Sequence, residues 1–197
     1  MLIAGAINKY CSILASPRFY SDIRLSYSKA EILKNVCDNE HRIFRAALQF
    51  TDINDSIELH STSDVPAGCG FGTSSSFTVA LLSVLHAYKR QFITQQQIAE
   101  EACHIEIDVL REPIGKQDQY MAAFGGLTCL TFEKNGDVLV EPLRVAPEVH
   151  DQLENNLILF FTGTERSASD ILRDRDTKSK EDNSAVLRTC TRLRKSG

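Results

Sequence analysis

The stretch that decides the fold runs over residues 66–88 and reads PAGCGFGTSSSFTVALLSVLHAY. Gly68, Gly70 and Gly72 put three glycines into five residues, and an apolar run to Tyr88 follows. The hydroxyls of Thr73, Ser74, Ser75 and Ser76 are N-cap chemistry, so a helix is predicted to begin there. Just upstream, Ser56 to Ser61 alternates as a short strand does. In a strand–loop–helix unit of this kind, glycines let backbone N–H groups approach an anion, and the helix N-terminus adds a positive dipole end. The clustered hydroxyls suit phosphate oxygens or a metal ion. The loop is not a Walker A motif, because no Gly-Lys-Ser/Thr follows, and it lacks the acidic residue and context of a dinucleotide fingerprint. Taken alone, it also reads as a tight turn capped by serines.

Working outward, the stretches AINKYCSILASPRF and IRLSYSKAEI read as strands broken near Ser16-Pro17. Ile43, Ala46, Ala47 and Phe50 recur at helical spacing between Asn39 and Phe50. A second helix is predicted from Thr94, with Gln97 placed for a capping box, past Ile105 and Val109. Arg111 to Gln117 is a loop. Asp118 heads a short segment closed by Gly125-Gly126, and a hairpin then turns at Asn135-Gly136. After a polar linker, Leu157 to Thr162 reads as a buried strand and Ser167 onward as a helix. The reading as a whole is α+β, with no internal repeat.

Composition narrows the function. The 197 residues are 43% hydrophobic and 24% charged, which suits one globular domain or one plus the start of another. A net charge of −4 argues against a nucleic-acid partner. No apolar run is long enough to span a membrane, so a cytoplasmic location without membrane partners is expected. The six cysteines, Cys11, Cys37, Cys69, Cys103, Cys129 and Cys190, form no CxxC pair and read as reduced thiols rather than a zinc site.

Two carboxylates stand out beside the glycine loop. Asp118 follows Lys116 after a Pro/Gly loop. It is either a helix N-cap or a carboxylate kept ionised by its neighbour and able to accept a proton from an alcohol. Glu106 ends a mostly apolar helix face (Ala99, Ala102, Cys103) and is either a solvated edge or a magnesium ligand.

Together these parts resemble one family. PAGCGFGTSSSFTVALLSVLHAY is similar to the second motif of the GHMP kinases, Pro-x-x-x-Gly-Leu-Gly-Ser-Ser-Ala, with Phe71 for the leucine and Thr73 for the first serine. EEACHIEIDVLREPIGKQDQYMAAFGGLTCLTF, TGTERSASDIL and the opening NKY…PRF…IRLSYSKAEI resemble its sugar-1-kinase branch, which includes heptose 7-phosphate kinases. The resemblance implies an N-terminal domain with a mixed sheet and packed helices over 1–148, without the family's first strand and loop. The beginning of the α+β C-terminal domain would follow over 149–197, without the third motif. It implies ATP and Mg2+ as cofactors, with Pro66, Gly68, Gly70, Gly72, Thr73, Ser74, Ser75 and Ser76 around the nucleotide phosphates. Ser74 and Glu106 would hold the metal. Asp118 would act as base with Lys116 beside it, and Gln117 and Arg166 would bind the substrate. The implied reaction is phosphorylation of the anomeric hydroxyl of a heptose phosphate for surface polysaccharide synthesis. A fucose-like or mannose-like substrate, an inactive fragment that at most binds nucleotide, and a homodimer stay open.

Overall fold

A computed structural model describes residues 1–158 and 160. Two sheets carry the fold. The strands β2 (Cys11–Pro17), β3 (Ile23–Ser26), β4 (Ala30–Leu33) and β5 (Ile57–Ser63) form a mixed sheet in the order β2-β5-β3-β4. Within it β3 runs parallel to β5, and the other pairs are antiparallel. A second, antiparallel sheet in the order β1-β6-β7 joins β1 (Leu2–Gly5) to the hairpin of β6 (Leu127–Phe132) and β7 (Val138–Pro142). The helices are α1 (Arg42–Phe50), α2 (Thr73–Tyr88), α3 (Gln95–Cys103), α4 (Gln117–Phe124) and α5 (Pro147–Asn155).

Alternation along the strands sets the layers. Ile23 and Leu25 of β3 and Ile57 and Leu59 of β5 are buried on one face. They meet Phe44 and Leu48 of α1 and Leu81, Leu82 and Leu85 of α2 in the main core. A smaller core beneath the second sheet joins Ala99 and Cys103 of α3 with Tyr120, Leu130 and Val138. Helix α3 serves both, since Ile98 and Ala102 face the first core. This places α2, α3 and α4 side by side between the sheets, with the start of α2 against the start of α4.

Several expectations hold and several are corrected. The capping box of α3 is present, with the Gln97 amide accepting a hydrogen bond from 1 N–H, that of Thr94. IRLSYSKAEI is a β3–β4 hairpin rather than one strand, because Tyr27 N–H bonds the carbonyl of Lys29 and reverses the chain. The break lies after Pro17, which β2 tolerates as an edge strand. At the β6–β7 turn only Gly136 takes a positive φ, so Asn135-Gly136 sits in a turn closed between Glu133 and Asp137. The polar linker is helix α5, begun by Pro147 at its first position, where the missing N–H costs nothing. Leu157, Ile158 and Phe160 are exposed rather than buried, because no described element stacks on them. The remainder of that strand, the helix from Ser167, Arg166 and Cys190 lie outside the described residues.

One cap yields a pH prediction. His41 precedes α1, and its Nδ1 accepts a hydrogen bond from the Phe44 N–H while the ring packs against Tyr27, Phe44 and Phe77. Burial pushes its pKa below the ordinary 6.5. The folded chain therefore favours the neutral ring. That stabilisation is full above the unfolded value and fades as pH falls through the lowered folded one. His41→Asn, which keeps a capping side chain without titrating, should show a smaller drop in melting temperature between pH 8 and 5.5 than the wild type. Equal drops would remove His41 from the acid response.

Candidate active site

The glycine loop hands its strain to three residues. Gly68, Gly70 and Gly72 have φ of +78°, +79° and +63°. Gly72, left-handed, is the N-cap of α2, and no side chain caps the helix. The serines are therefore not caps. The glycine makes the turn, and Ser74 and Ser75 fall in the first helical turn with their hydroxyls turned elsewhere. The first i→i−4 bond is Ser76 N–H to Gly72 carbonyl, at 2.9 Å. The N–H groups of Thr73, Ser74 and Ser75 precede it, which is the backbone arrangement that receives an anion.

Helix α3 does not end in an ordinary turn. It widens into a π turn over His104–Val109, with Leu110 N–H reaching the Ile105 carbonyl and Glu112 N–H that of Glu106, each at 2.9 Å. Such turns re-aim side chains and are frequent at functional sites. Here the re-aimed residue is Glu106, with 0% of its surface exposed, so it is no solvated edge. Its Oε1 accepts from Ser74 Oγ at 2.6 Å, and its Oε2 from Ser75 Oγ at 2.8 Å and Gln119 Nε2 at 2.5 Å. These are charge-assisted bonds that hold a carboxylate away from water. Among the described residues, no ion pair includes Glu106.

Among the described residues, the buried Glu106 carboxyl and its hydroxyl neighbours make an oxygen donor set with no cation in ion-pair contact. That fits a hard divalent cation such as magnesium, with Ser74 and Glu106 as its protein ligands. No group of three or more His, Cys, Asp or Glu gathers anywhere among the described residues.

Asp118 comes to the same place from α4. Lys116 occupies the cap position of that helix without a side-chain cap, so Asp118 lies in the first turn and is not the N-cap. It packs on the loop: a Cβ at Gly72 would lie 3.0 Å from Asp118 Cβ and Cγ and 3.2 Å from Oδ2. A cleft of about 620 Å³ opens here, lined by Gly70, Gly72, Thr73, Ser76 and Asp118, with Lys9 entering from the β1–β2 loop. Cys11 also lines it, its thiol pushed to higher pKa by burial.

The expected residues therefore divide. Gly70, Gly72, Thr73, Ser76 and Asp118 line the cleft, and Ser74, Ser75 and Glu106 form a bonded group at the start of α2. Pro66, Gly68 and Gln117 are exposed outside the lining. The Lys116 ammonium donates to the Gly136 carbonyl at 2.7 Å, at the β6–β7 turn rather than in the cleft. Sequence reasoning missed Gln119 and Lys9. The only signal for Gln119 was a polar residue at the border of an apolar run, and Lys9 carried none.

Comparison with known proteins shows which chains this one is similar to. Residues 41–126 match the family described as GHMP kinases N terminal domain. A curated relative from Campylobacter jejuni, D-glycero-alpha-D-manno-heptose 7-phosphate kinase, is 33% identical over 164 residues, covering 83% of this chain and 45% of the relative. Among solved structures, a D-glycero-D-manno-heptose 1-phosphate kinase from Bacteriodes thetaiotaomicron is 25% identical with a TM-score of 0.72, covering 92% of this chain and 63% of that one. A putative sugar kinase from Campylobacter jejuni is 26% identical with a TM-score of 0.71, covering 91% and 60%. The chain thus spans less than half the length of the curated relative it matches. Its fold is that of a GHMP kinase N-terminal domain.

Gly72 tests the local geometry. Alanine there would hold a left-handed φ and press on the Asp118 side chain, a cost of about 1–3 kcal/mol. Gly72→Ala should melt several degrees below the wild type, whereas Gly70→Ala, whose Cβ would meet nothing within 4 Å, should lose less. Equal melting of the two variants would contradict the contact.

Proposed function

We propose that this chain is the nucleotide- and metal-holding part of an ATP-dependent sugar kinase, and that it phosphorylates the anomeric hydroxyl of a heptose 7-phosphate to give the 1,7-bisphosphate. The carrying observation is the meeting of three features: the uncapped start of α2, the buried Glu106 bonded to Ser74, and Asp118 packed on Gly72 at the cleft wall. The heptose substrate follows the curated relative, and nucleotide-activated heptose for surface polysaccharide is its proposed use in the cytoplasm. Among the described residues no helix is long and apolar enough to cross a membrane.

In this reading the N–H groups of Thr73, Ser74 and Ser75 receive the β- and γ-phosphates. A bound magnesium ion would supply charge neutralisation on those phosphates, and Ser74 and Glu106 are the residues that would hold it. Asp118 accepts the proton of the anomeric hydroxyl as its oxygen bonds the γ-phosphorus. The bond from that phosphorus to the β–γ bridging oxygen breaks, and ADP leaves. Phosphoryl transfer asks for positioning and charge compensation more than covalent chemistry, which is what this constellation offers. Lys9 brings a cation to the cleft wall. Lys116 is proposed as a support for the start of α4, which bears Asp118, through its bond to Gly136. Gln117 and Arg166 are proposed to face the sugar phosphate. The division into domains is proposed near residue 148, where α5, which buries none of its residues, begins.

A coupled assay for ADP release with magnesium–ATP and the heptose 7-phosphate tests this. Turnover should require the sugar phosphate, and Asp118→Asn should lower kcat by about a hundred- to ten-thousand-fold with little change in nucleotide affinity. Full turnover in Asp118→Asn would remove it as the base. Turnover with fucose or mannose but not with the heptose phosphate would overturn the substrate assignment.

A further inference from the structure

Gln119 follows the candidate base by one residue and is absent from the mechanism above. Its side chain is fully buried, and its Nε2 lies 2.5 Å from Glu106 Oε2. Its own Oε1 is buried with no hydrogen-bond partner. Turning the amide over would set that oxygen against the carboxylate, so Glu106 fixes its orientation. A side chain kept only for packing would not need an amide at this position, because an apolar residue of the same shape would leave no orphaned oxygen.

The two Glu106 oxygens are treated differently. Oε2 accepts from both Ser75 Oγ and Gln119 Nε2 and is saturated. Among the described residues, Oε1 accepts only from Ser74 Oγ, the hydroxyl that would itself ligate the cation. We propose that Gln119 and Ser75 are positioning residues that occupy Glu106 Oε2, so that the carboxylate meets a divalent cation through Oε1 alone. This rests on the metal-dependent reading above. A carboxylate confined to one oxygen suits magnesium, which takes small octahedral shells, while a carboxylate free to offer both oxygens favours larger, more flexible ions such as calcium. Gln119 and Ser75 are thereby specificity-determining residues for the metal. Because Gln119 sits on α4 beside Asp118, it also ties the metal carboxylate to the base-bearing helix.

The test is binding of magnesium, manganese and calcium to the full chain in the presence of a non-hydrolysable ATP analogue, followed by calorimetry and, for manganese, by electron paramagnetic resonance. The proteins are wild type, Gln119→Met and Ser75→Ala. Each variant removes one donor to Oε2 without adding charge, and alanine is well tolerated within a helix. Wild type is expected to prefer magnesium over calcium. Both variants should lose at least tenfold of that preference, mainly by weaker magnesium binding, and Gln119→Met should melt no lower than wild type. In turnover the variants should raise the magnesium concentration at half-maximal rate more than they lower kcat. Wild-type binding with an unchanged metal order in both variants would overturn the inference alone. Wild type that binds no metal with the nucleotide analogue would overturn the proposed function and this inference together. A Gln119→Met chain that fails to fold would contradict the positioning role, and Ser75→Ala would then report on Oε2 by itself.

Discussion

The Glu106 carboxylate, bonded to Ser74, Ser75 and Gln119 with none of its surface exposed, is the constraint on which the rest of the site depends. It ties together the start of α2, the π turn after α3 and the first turns of α4. Moving a carboxylate out of water costs several kcal/mol unless hydrogen bonds and a counter-charge compensate it. Here the fold supplies the hydrogen bonds, and among the described residues no ion pair supplies a counter-charge. A carboxylate in that setting needs one, which is the part proposed for the magnesium ion.

The surrounding elements follow from that need. The π turn carries Glu106 inward at the end of a helix whose Ile98, Ala99, Ala102 and Cys103 face the cores. Gly72 lets the chain turn left-handed and start α2 without a capping side chain, which frees the serines for the carboxylate and leaves the backbone N–H groups open. The same absence of a Cβ lets Asp118 lie directly against the loop. The buried Glu106 carboxylate, the uncapped start of α2 and Asp118 are thereby placed on three helices packed side by side, so the geometry rests on rigid elements rather than on loops.

Much of this was legible in the sequence. The glycine–hydroxyl loop before an apolar run announced the strand, turn and helix, and the Thr94–Gln97 box announced α3 because its chemistry is local. The meeting of Ser74, Glu106 and Asp118 was readable only through the family resemblance, since nothing in the spacing brings positions 32 residues apart together. What stayed hidden was non-local or conformational. A π turn has no composition signal, so Glu106 read as either a solvated edge or a ligand. Serines next to a glycine read as caps, although a left-handed Gly72 makes a cap unnecessary. Lys116, two residues before Asp118, points to the β6–β7 turn because the helix start directs nearby side chains apart. The polar stretch before Leu157 read as a linker, yet Pro147 at a helix's first position is compatible with α5.

The most direct measurement is anomalous diffraction from crystals of the chain grown with manganese and a non-hydrolysable ATP analogue. The account predicts a manganese peak in contact with Ser74 Oγ and Glu106 Oε1, with the analogue's phosphates at the N-terminus of α2. A nucleotide bound with its metal elsewhere, or a peak that leaves Glu106 bonded only to Ser74, Ser75 and Gln119, would contradict it.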